Sequence, residues 1–159
     1  MRANIPIKDF EHFSFDLWLT IIKSHPEFKR KRAALFQSFF SVERPFDEVM
    51  STVKYYDNLC NFSNEIVGGN IDTFEIYLMI LSALKVDLKT LNRNLFENFY
   101  EKSEELFLEY QPQIIMDNVY ELFDEIKSSG KTINILSNTG FIKGKTMRKF
   151  LKNQKLDRY

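Results

Sequence analysis

Phe13-Ser14-Phe15-Asp16-Leu17-Trp18-Leu19-Thr20 decides how the rest of this 159-residue chain is read. A short apolar run beginning at His12 delivers a carboxylate, Asp16, to its C-terminal end, and a turn residue, Thr20, follows. Parallel-sheet proteins place their chemistry at the carboxyl ends of buried strands, where loops leave the sheet. The run therefore predicts a strand over 12–16, with Asp16 as the leading catalytic candidate.

Working outward, a matching signal lies far along the chain. Thr132-Ile133-Asn134-Ile135-Leu136 predicts a second strand, and it delivers Ser137-Asn138 to its end as the first delivers Asp16. An amphipathic helix over 117–129 precedes it, with Val119, Leu122, Phe123 and Ile126 on one stripe and Gly130 at its C-terminus. Thr139-Gly140 then turns the chain into a basic helix over about 143–152.

Between the two signals the pattern is helical throughout, with no strand expected. One helix opens at Pro26 and ends before Pro45; a second runs over 46–66 and stops at the Gly68-Gly69-Asn70 turn. A third is capped by Asp72 or Thr73 and has its apolar body over 74–84. A fourth is expected over 87–100 and a separate short one over 103–110, with Pro112 closing the block. The run Lys29-Arg30-Lys31-Arg32 reads as a solvated helix face, and His12 and His25 read as structural.

The order of strand ending in Asp, helical block, then helix, glycine and strand ending in Ser-Asn resembles the haloacid dehalogenase-like (HAD) superfamily. Asp16-Leu17-Trp18-Leu19-Thr20 is similar to its motif I, and Ile135-Leu136-Ser137-Asn138 to its motif II. The resemblance implies an α/β fold: a Rossmann-type parallel sheet core over 1–22 and 113–159, interrupted by an all-helical cap over 23–112. It implies a hydrolase in which Asp16 is the nucleophile and Ser137 contacts the phosphoryl group, with Trp18, Thr20 and Asn138 on the substrate side. It also implies magnesium held by Asp16 and the backbone carbonyl of Trp18, and a small phosphorylated metabolite as substrate.

Two departures qualify those expectations. Trp18 stands where phosphatase branches carry a second acid, which resembles the dehalogenase branch and keeps 2-haloacid dehalogenation as an option. Leu19 replaces a common glycine. The superfamily's Lys of motif III and acidic motif IV would follow the last helix, about where the chain ends at Leu156-Asp157-Arg158-Tyr159. The core is therefore expected to be incomplete, with a bare sheet edge open to self-association, and a degenerate or truncated domain acting as an interaction module is the competing expectation. Gly140-Phe141-Ile142-Lys143-Gly144-Lys145-Thr146 has three residues between its glycines where a phosphate-binding P-loop needs four, so a nucleotide triphosphatase is not expected.

Composition narrows the class. Lysine plus arginine equals aspartate plus glutamate at 22 each, so no field favours nucleic acid or an anionic membrane. The 16 phenylalanines predict a well-buried helical layer, or an apolar pocket between layers, rather than disorder. A single cysteine, Cys60, has no partner for a disulfide and reads as a small buried thiol. With no apolar run of membrane-spanning length, the expectation is a cytoplasmic protein without nucleic-acid or membrane partners.

Overall fold

The computed structural model describes residues 6–137 and 140–159. The chain is α/β, with six α-helices and one parallel strand pair among the described residues. It divides into two compact units, one over residues 6–24, 112–137 and 144–159, the other over 25–111 and 140–143.

The first unit is built on β1 (His12–Asp16) and β4 (Thr132–Leu136), paired in parallel register from His12 opposite Thr132 to Asp16 opposite Leu136. Alternation fixes the two faces. Phe13, Phe15, Ile133 and Ile135 are half-buried on one face, and Phe15 stacks on Phe123 of α5 (Val119–Ser128) with centroids 4.8 Å apart. Ser14, Asp16, Asn134 and Leu136 form the other face and are exposed, Leu136 at 56%. A parallel sheet is ordinarily covered on both sides; this one presents a polar face around a single leucine. Gly130 takes the left-handed conformation (φ 76°) that ends α5 and turns the chain into β4. α6 (Gly144–Asn153) buries Thr146, Met147 and Phe150, and the Tyr120 hydroxyl donates to the Gln154 carbonyl at 2.9 Å, tying α5 to the segment after α6.

A second, smaller sheet was not expected from the sequence. β2 (Ile22–Lys23) pairs antiparallel with β3 (Gln113–Ile114), so the chain leaves the first unit along one strand and returns along the other. With two residues per strand, no period is long enough to read.

The second unit holds α1 (Phe28–Phe39), α2 (Phe46–Val67), α3 (Thr73–Ala83) and α4 (Arg93–Glu109). Phe36, Phe40, Tyr77, Phe96 and Phe99 pack with Val49, Ile80 and Leu81 in one core, and Phe36, Phe40 and Tyr77 each stand within 5–6 Å of the Phe99 ring. Local chemistry sets the boundaries. Asp72 and Glu75 close a reciprocal capping box on α3. Gly68 ends α2 at φ 63°.

Three expectations are corrected here. Asp87 caps a single 3-10 turn, Leu88–Thr90, and the long helix starts later, capped by Asn92. That helix continues unbroken to Glu109, because Ser103 is not a cap but a fully buried member of the stripe Tyr100, Ser103 and Phe107. Arg32 is not on a solvated face: it is 6% exposed, and its guanidinium lies 4.1 Å from the Phe141 ring centroid and 5.6 Å from that of Phe28. Contact with aromatic faces allows a weakly hydrated guanidinium to be buried where an ammonium would not be. Cys60 is buried as expected. Among the described residues no helix is long and apolar enough to cross a membrane.

Candidate functional site

At the carboxyl end of β1 the chain makes one tight turn. Leu17 is fully buried; its N–H bonds the Leu136 carbonyl at 3.0 Å, and its own carbonyl accepts from both Ile21 and Ile22 N–H, each at 3.0 Å. The Leu19 N–H then bonds the Ile22 carbonyl at 2.7 Å. This closes a turn on an anchored leucine and leaves Asp16 at its rim with an exposed carboxylate. Thr20 is folded back over the turn, and its hydroxyl donates to Asp16 Oδ2 at 3.0 Å. This bond ties one oxygen of an exposed carboxylate to the turn that follows the strand.

Leu19 is 82% exposed and sits at φ 61°. An L-residue in that region is strained unless its surroundings hold it there. The backbone at this position has a conformation suited to glycine, and leucine occupies it. Trp18, one residue earlier, is half-buried and forms a bridge to Ile22.

The parallel register brings the second signal alongside the first. Asp16 lies opposite Leu136, so the next position on β4's side is the exposed Ser137. Four of the five residues named from the sequence, Asp16, Trp18, Thr20 and Ser137, fall in this one neighbourhood of the sheet. Asn138 lies outside the described residues. Among the described residues no group of three or more His, Cys, Asp or Glu side chains gathers as a ready cation site.

A separate polar cluster in the helical unit has no sequence signal, since Arg32 reads in the sequence as part of a solvated helix face. The hydroxyls of Tyr77, Tyr100 and Ser103 are buried without a hydrogen-bond partner, and Glu104, 8% exposed, is buried next to Ser103 on α4. Burial pushes the Tyr77 phenol up to about 12, opposed by the Arg32 charge and by the neighbouring Ser103. Burial likewise raises Tyr100, reinforced by the Glu104 carboxylate. The Lys143 ammonium rests 3.8 Å from the Tyr100 ring centroid.

The chain matches no model of a known protein family, and no curated protein matches it.

Proposed function

We propose that the chain carries the nucleophile half of a HAD-type hydrolase site, with Asp16 as nucleophile toward small phosphate esters. The observation that carries this reading is the exposed Asp16 carboxylate at the end of one strand of a parallel pair, oriented by Thr20, beside a neighbouring strand that runs out into Ser137. In this reading the free oxygen of Asp16 attacks phosphorus and the ester oxygen departs with its electron pair. Ser137 donates its O–H to a phosphoryl oxygen as charge builds there. Water then adds to the aspartyl phosphate, releasing inorganic phosphate and restoring the carboxylate.

Trp18 adds a constraint on substrate. An indole has no proton to give a departing alkoxide, so the leaving group must leave unassisted or draw its proton from water. The substrates that fit best are therefore those with acidic leaving groups, such as acyl or aryl phosphates. Magnesium suits the donors present: the Asp16 carboxylate and the Trp18 carbonyl are hard oxygens, and this ion keeps several waters of its own. When bound, it would neutralise charge on the phosphoryl group.

The test is phosphate release from acetyl phosphate and a series of aryl phosphates, with magnesium, by the native chain and by Asp16→Asn. Turnover should rise steeply as the leaving group becomes more acidic, and the variant should lose about a thousandfold or more. Equal turnover in both proteins would remove Asp16 from the chemistry. Trp18 in place of an acid also favours a second reading, displacement of halide from a 2-halo acid by the same carboxylate. That activity would appear as chloride release without magnesium.

A further inference from the structure

α2 has a second face that the core of the helical unit leaves out. Its inner side, Val49, Val53, Cys60 and Asn64, is buried, and the helix packs on α1 and α3. On the opposite side Tyr55, Leu59, Phe62 and Ile66 are 61, 40, 61 and 67% exposed. Their spacing of four, three and four residues confines them to a sector of roughly 60°, one straight apolar stripe about three turns long. At roughly 200 Å² for a freely exposed side chain of this size, the stripe leaves about 450 Å² in water, more than scattered surface residues account for.

We infer that this stripe is the contact between two copies of the chain, packed antiparallel through α2. The stripe is self-complementary in that direction, as a two-fold interface requires. An axis between residues 60 and 61 sets Tyr55 against Ile66 of the second copy and Leu59 against its Phe62. The charges select the same direction. Lys54 and Glu65 are exposed on one flank of the stripe, and neither has an ion-pair partner among the described residues. Antiparallel packing brings Lys54 of each copy within a few ångströms, along the helix axis, of Glu65 of the other, and does so twice. Parallel packing would put these residues of the two copies on opposite flanks and make neither pair.

The two stripes and their polar flanks remove on the order of 1,000 Å² from water, the low end for a specific interface. An interface of that size belongs with transient rather than permanent dimers. A sheet-edge contact in the first unit, or a groove for another protein's helix, would leave a different signature.

Sedimentation equilibrium of the full chain over roughly a hundredfold range of concentration reads the association directly. The native chain should pass from monomer to dimer, and Phe62→Glu should raise the dissociation constant at least about tenfold with unchanged circular dichroism. Leu59→Lys should do the same. The double variant Leu59→Lys/Phe62→Glu should recover dimerisation, because only antiparallel packing sets residue 59 against residue 62. A native chain that stays monomeric, a Phe62→Glu variant that still dimerises, or a double variant weaker than either single one overturns the inference.

Discussion

At the scale of single residues, Leu19 and Tyr77 show two kinds of local tension. Leu19 holds a left-handed backbone at 82% exposure, so replacing its side chain by hydrogen relieves strain without emptying a packed site. Leu19→Gly should be neutral or stabilising by up to about 1 kcal/mol in urea unfolding, set against the greater freedom glycine gives the unfolded chain. The Tyr77 hydroxyl is buried beside Ser103 without a well-formed hydrogen bond, so Tyr77→Phe should be close to neutral near pH 8. Its effect should grow with alkali. The folded phenol titrates near 12 and the unfolded one near 10, so above pH 10 the unfolded state releases its proton first. Native stability therefore falls between pH 10 and 12, by at most about 1.4 kcal/mol per pH unit from this group. Unfolding curves at pH 8 and pH 11 should show a smaller loss in Tyr77→Phe than in the native chain. Of these features the sequence exposed Asp16 and Ser137, since strand ends can be read from alternation. It concealed Leu19's backbone, because no glycine or asparagine marks that turn, and Arg32's burial, because Phe141, which covers it, lies more than a hundred residues further along the chain.

At the scale of elements, caps carried more information than propensity. Asp72 was legible as a helix start because its side chain competes for backbone N–H groups whatever the tertiary context. Asp72→Ala should cost about 1 kcal/mol, measured by urea unfolding followed at a helical wavelength, since it removes the carboxylate that accepts from the Phe74 N–H while the backbone N–H of residue 72 can still donate to Glu75. The same logic misled at Asp87, whose carboxylate does cap a turn, bonding the Lys89 N–H at 3.0 Å, but one that closes before α4 begins. Ser103 shows the converse: a polar residue in a helix interior reads as a break until its burial beside Tyr100 and Phe107 is seen. The β2–β3 stem left no trace in the pattern, because backbone pairing alone defines it.

At the scale of the whole molecule, the interruption of a strand pair by helices was legible from the order of elements, but the membership of each unit was not. Residues 140–143 follow β4 in sequence yet cluster with the helices. Thr73 Oγ1 donates to the Gly140 carbonyl, and Phe141 is 7% exposed between Tyr77, 5.3 Å away, and the Arg32 guanidinium. The core of the helical unit thus depends on a residue from outside its continuous stretch. Phe141→Ala should cost about 3–5 kcal/mol, through lost packing and an uncovered guanidinium. An excised 25–111 fragment, which lacks Phe141, should show a similar deficit in denaturant titration.

The β2–β3 stem also bears on the order in which the molecule assembles. His12 and Thr132 meet across 120 residues of chain, a contact whose closure entropy is unfavourable until something shortens the path. Zipping Ile22–Lys23 onto Gln113–Ile114 first reduces the intervening loop to roughly 30 residues and lowers the closure cost by about 1 kcal/mol. Early pairing of these four residues would thus act as a clasp, easing the meeting of the two strands on which Asp16 and Ser137 stand.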